Sequence, residues 1–152
     1  MAEKMLILKG RVLPGWPNGA LDEGPALAFA ARKDYDGEVV PMAAGMKPSK
    51  TDDQTRYVLA RLRQDKSITA LYGFSGGGYN LGHVIDSLTD DEKKQIRLVV
   101  VLGCPLHTRE RWKGPWGEKG LYYRLDPPEA EGGHIAGPRA LLAELGGEPK
   151  GP

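Results

Sequence analysis

Thr69-Ala70-Leu71-Tyr72-Gly73-Phe74-Ser75-Gly76-Gly77-Gly78-Tyr79-Asn80 is the stretch from which the rest of the chain is read. Thr69 to Tyr72 is a short, mostly apolar run that fits a buried strand, and Leu81, Val84, Ile85 and Leu88 then recur at helical spacing. Between strand and helix, Gly73-Phe74-Ser75-Gly76-Gly77 fits G-x-S-x-G. In that pattern a serine is held on a sharp strand-to-helix turn, and the flanking glycines let neighbouring backbone pass close by. Ser75 would project from the sheet edge, with the Gly76 amide at the positive end of the helix, where it can stabilise a developing oxyanion. A glycine-rich turn of this kind also serves nucleotide-binding folds, where it holds phosphate.

Upstream of this turn, Thr51-Asp52-Asp53-Gln54 has the form of a capping box and opens a helix. That helix carries Tyr57, Val58, Leu59 and Leu62 on one side and Arg56, Arg61, Arg63 and Gln64 on the other. Val39-Val40-Pro41-Met42 is a strand candidate that its proline either weakens or places at an edge, and Asp36-Gly37 reads as the turn before it. Pro25 fits the first turn of a helix over Ala26 to Ala31. The proline- and glycine-rich run from Arg11 to Gly19 is a loop at the end of a first strand, Met5 to Leu8. That loop is either a plain connector or a source of a second oxyanion amide and an aromatic wall from Trp16.

Downstream, Thr89-Asp90-Asp91-Glu92 is a second capping box starting a short polar helix. Leu98-Val99-Val100-Val101-Leu102 is apolar on both faces, as an interior parallel strand requires. A polar loop with Arg109, Arg111, Trp112, Lys113 and Trp116 leads to a last strand, Leu121 to Leu125, which Asp126-Pro127-Pro128 breaks. Pro138 to Leu145 is a terminal helix stopped by Gly146-Gly147. Strands and helices alternate without repeats. The expected fold class is therefore α/β, a three-layer sandwich with a mostly parallel sheet of about five strands.

The 152 residues suit one domain, spanning 1–152. Lys and Arg number 21 against 20 for Asp and Glu, leaving a formal charge of +1, so charge favours neither nucleic acid nor an anionic membrane as partner. The single cysteine, Cys104, excludes an internal disulfide framework, and the sequence lacks the cluster of cysteines and histidines that a structural zinc site requires. The apolar core at the N-terminus is too short for a signal peptide, and no run is long enough to span a membrane, so a cytoplasmic location is expected.

Acyl transfer through serine needs a hydroxyl, an imidazole to take its proton and a carboxylate to orient the imidazole. Ser75, Asp126 and His134 all follow strand candidates, and parallel strands deliver such positions to one sheet edge. On these residues the chain resembles the α/β-hydrolase fold of serine esterases and lipases, in a minimal form of cutinase-like size. The family's chain order is nucleophile, acid, base. The resemblance implies Ser75 as nucleophile, His134 as general base, Asp126 as its orienting acid and Gly76 as oxyanion donor. A second donor would come from the stretch Gly10 to Val12, with Arg11 at its middle. It implies a small acyl substrate, an ester or thioester, and no cofactor. Neither the leading antiparallel strands nor the lid of larger members is expected here, and with only seven residues between them Asp126 and His134 meet only if their loop folds back.

His107 is an alternative base after the strand at Leu98–Leu102, and His83 reads as a helix-packing or surface residue. Cys104, before Pro105, reads as a buried small residue. Trp112 and Trp116 either line a substrate flap or pin a surface loop. The rival class is a non-catalytic nucleotide- or phosphate-binding or interaction module using Gly76-Gly77-Gly78. It lacks the G-x-x-x-x-G-K-[ST] lysine, and Ser75 stands where G-x-G-x-x-G needs its second glycine.

Overall fold

A computed structural model describes residues 2–10, 23–42 and 47–146. Five strands form one sheet: β1 (Lys4–Leu8), β2 (Asp36–Val40), β3 (Ile68–Phe74), β4 (Leu98–Leu102) and β5 (Leu121–Arg124). Their order is β2-β1-β3-β4-β5, and every neighbouring pair is parallel. The helices are α1 (Glu23–Arg32), α2 (Asp53–Gln64), α3 (Gly76–Ser87), the single turn α4 (Asp90–Lys93) and α5 (Gly137–Glu144).

The chain runs from β1 outward to β2, then returns past β1 to β3 and continues to β5. Right-handed crossovers travelling in opposite directions place their helices on opposite faces. Accordingly Ala26, Phe29 and Ala30 of α1 join Leu141 and Leu142 of α5 on Met5, Ile7, Tyr72 and Val100. Val58 and Leu62 of α2 join Leu81, Val84 and Ile85 of α3 on Leu6, Leu8, Leu71 and Val99. With both faces covered, β3 and β4 are buried at every residue, which is why their sequences do not alternate. The expected five-stranded parallel α/β sandwich is therefore the fold.

Two local expectations are corrected. The turn before β2 lies at Lys33 to Tyr35, with Asp34 at φ 63°, and the strand begins at Asp36 and ends before Pro41. Gly37 belongs to the strand because a Cβ there would stand 3.0 Å from Leu27 and 3.1 Å from Ala30, where α1 lies against the sheet. In α2 the N-cap is Asp52, not Thr51, and its carboxylate accepts from the Gln54 backbone N–H at 2.9 Å. Gln54 thus moves one place nearer the helix start, and its side chain turns inward. The second capping box is formed as expected by Thr89 and Glu92.

The return from β2 across to β3 creates a topological switch point between β1 and β3. Ligands of open parallel sheets bind beyond the carboxyl ends of the strands at such a point. Leu8 pairs with Gly73 there, two residues before Ser75.

Candidate active site

Ser75 stands between the last residue of β3 and the first of α3, at φ 56° and ψ −120°. A residue with a Cβ rarely adopts this conformation, and holding it costs on the order of 1–3 kcal/mol. The surroundings enforce it. The Ser75 N–H donates to Leu102 O at 2.8 Å as a continuation of the β3–β4 ladder, while Ser75 O accepts from Gly78 and Tyr79 to open the helix.

The glycines of the motif are required by close approach. A Cβ on Gly77 would lie 2.0 Å from Leu8 O, and one on Gly73 would lie 2.7 Å from Gly78 Cα. The first turn of α3 is thereby pressed onto the ends of β1 and β3. Its leading amides, Gly76 and Gly77, lack intrahelical acceptors, as the first four N–H groups of any helix do. Gly10, just after β1, completes this corner: a Cβ built on it would be 3.3 Å from Ser75 Cβ and 3.0 Å from Phe74 O.

Asp126 lies two residues past β5, and His134 in the 3-10 turn Gly133–Ala136. The short connection between them does fold back. Glu131 and Gly133 both donate to Pro128 O, and Gly132 and Gly133 take φ values of 107° and 64°. His134 Nδ1 comes to 2.7 Å from Asp126 Oδ1. With Nδ1 on the carboxylate, that nitrogen carries the proton and Nε2 is left as the basic one.

The imidazole is held from two more directions. Phe74 stacks on it, with ring centroids 4.9 Å apart and planes at 23°. Gly103, at φ 67° after β4, lies beneath it: a Cβ there would be 2.7 Å from His134 Cε1 and 3.0 Å from Asp126 Oδ1. Thus the structure pairs Asp126 with His134 and sets both against the strand ends that carry Ser75. Ser75 Oγ and His134 are not themselves hydrogen-bonded.

The other candidates are accounted for. Arg11 and Trp16 lie outside the described residues. The His107 ring meets Tyr79 and Trp112 edge-on, at 6.1 and 5.9 Å, and no carboxylate accompanies it among the described residues. His83 is half-buried on α3, where its carbonyl accepts from Ser87 Oγ. Cys104 is buried beneath the serine turn with Sγ 3.2 Å from Ser75 O. Burial, with Asp126 nearby, pushes its thiol up to about 12, so it is a packing residue and not a thiolate nucleophile. Trp112 is fully buried, and Trp116 Nε1 donates to Trp112 O at 3.0 Å, so the pair pins its loop to the sheet. No described helix is long and apolar enough to cross a membrane.

Phe74, Gly103 and Gln54 are the residues of this edge that sequence reasoning passed over. Phe74 is the variable residue of a motif, Gly103 merely follows an apolar strand, and Gln54 reads as part of a cap. Compared with models of known protein families the chain matches none, and compared with curated proteins it also matches none.

Proposed function

We propose that the protein is a small serine hydrolase that cleaves an ester or thioester through an acyl-enzyme on Ser75. The observation carrying this reading is the convergence at one sheet edge of a serine at φ 56° and an Asp126–His134 pair at 2.7 Å. A strained serine needs a reason to be retained, and a carboxylate-held imidazole at the same edge supplies one.

In this reading His134 Nε2 takes the Ser75 proton as Oγ attacks the acyl carbon, and Asp126 stabilises the imidazolium that forms. The tetrahedral oxyanion rests on the Gly76 N–H and on the Gly10 N–H opposite it. Collapse passes the proton to the leaving group, and a water activated by His134 then releases the acid. Exposed apolar side chains lie on the loops that follow these strands: Leu106 after β4, Leu125 after β5 and Ile135 next to His134 in sequence. They favour an apolar acyl group over a charged one.

Intact-mass labelling with a fluorophosphonate probe tests the proposal. A single adduct on the natural protein, absent from Ser75→Ala and His134→Ala, is the expected result. An unlabelled protein whose circular dichroism is that of a folded chain would overturn it.

A further inference from the structure

We infer that Gln54 is a positioning residue that aims the Gly10 amide at the oxyanion, an inference that rests on the hydrolase reading above. Gln54 lies in the first turn of α2 and is 3% exposed. Its Nε2 donates twice, to Lys9 O at 3.0 Å and to Val40 O at 2.8 Å, so one side-chain amide clamps the ends of β1 and β2 together. Its Oε1 accepts from Asn80 Nδ2 at 2.9 Å. Asn80, fully buried in α3, also donates to Asp52 Oδ2 at 2.7 Å and accepts from the Ser49 N–H at 3.1 Å. The helix that begins at the nucleophile is thereby tied to the strand end across the switch point.

Peptide geometry gives this clamp its chemical consequence. Lys9 C=O and Gly10 N–H belong to one trans peptide unit and point in opposite directions. Gln54 draws the carbonyl toward β2, where Lys9 N–H already donates to Val40 O. The Gly10 N–H is therefore turned the other way, toward β3 and Ser75. Gly10 is buried, and among the described residues its N–H has no acceptor. A buried amide without a partner is costly unless something arrives to accept from it, and an oxyanion on the Ser75 adduct is such a partner. A side chain that only filled the gap at the end of β2 would need neither its bond to Lys9 O nor its link to α3.

The test replaces Gln54 by Met, which keeps length and removes both donors. Rates are taken per active site, counted by fluorophosphonate titration. Gln54→Met should lower kcat by about 10- to 100-fold while KM changes by less than roughly twofold. It should weaken binding of a trifluoromethyl ketone, whose adduct carries the tetrahedral oxyanion, by the same factor as kcat. A purely structural role would reduce the number of active sites and leave both quantities per site unchanged, which would overturn the inference. Should the variant not fold, the natural protein decides. On formation of the trifluoromethyl ketone adduct the Gly10 amide proton should move well downfield in NMR spectra, and an unshifted Gly10 would overturn the proposal. A natural protein that takes no fluorophosphonate label would remove the hydrolase reading and this inference with it, whereas a labelled protein indifferent to Gln54→Met would remove this inference alone.

Discussion

Phe74 and His134, sixty residues apart in sequence, are stacked ring on ring with their centroids 4.9 Å apart. The residue preceding the candidate nucleophile thus fixes the plane of the candidate base. Replacing Phe74 by Leu keeps apolar bulk and removes the stacking face. The expected outcome is a kcat lower by on the order of 10-fold, from a loosened imidazole, with a stability loss of about 1–2 kcal/mol by urea titration.

Asp126→Asn keeps the shape of the acid but lets its amide face the ring, favouring the wrong tautomer of His134. Ester hydrolysis should fall by about 10³- to 10⁴-fold with the fold unchanged by circular dichroism. A variant within tenfold of the natural rate would remove Asp126 from its proposed role.

Gly103→Ala introduces a methyl group 2.7 Å from His134 Cε1 at a φ of 67°. Something must shift, and the group that can is the imidazole. The variant should lose most of its turnover while retaining cooperative unfolding, and its NMR spectrum should show His134 displaced from Asp126.

Ser75→Gly and Ser75→Ala should both be inactive but differ in stability. Glycine adopts φ 56°, ψ −120° without strain and alanine does not. Thermal unfolding should place Ser75→Gly above Ser75→Ala by about 1 kcal/mol. Equal stability of the two would show that the turn stores no strain.

Cys104 has a thiol raised from the ordinary 9.0 to about 12, chiefly by burial and secondarily by Asp126. The folded protein then keeps a proton that the unfolded chain releases above pH 9. Its contribution to stability is complete below pH 9 and is lost as pH rises toward 12. Unfolding by urea between those limits should become easier with pH, and less steeply so in Cys104→Ala. Iodoacetamide at neutral pH should modify Cys104 only on unfolding.

Four of the five strands were legible because each is a short, mostly apolar run bounded by glycine, proline or a charge, whereas of β2 only Val39-Val40 could be read; the serine turn was legible because its glycines lie close together in sequence. The meeting of Asp126 with His134 followed from their positions after the last strand and from the chain order of the resemblance, while their roles stay a proposal. What escaped was set by contacts between distant segments. Gly37 looked like punctuation, yet it is strand, where α1 crosses so closely that a Cβ would press on Leu27 and Ala30. Gln54 looked like the closing member of a capping box, but Asp52 caps the helix and frees Gln54 to bridge Lys9, Val40 and Asn80. Local spacing carries no information about which backbone carbonyl waits across the sheet.

The order β2-β1-β3-β4-β5 has a consequence for how the protein is made. Every strand pair is parallel, so no hairpin offers an early, local nucleus, and β1 meets its inner neighbour only when Lys4 reaches Ile68. Contacts of such long sequence separation carry a large loop-closure cost before they return any stabilisation, which slows folding. On the ribosome, Met5 to Leu8 must wait through the synthesis of two helices and a strand before the centre of the sheet can close. The earliest of these five strands is thus among those that stay longest without their full set of partners.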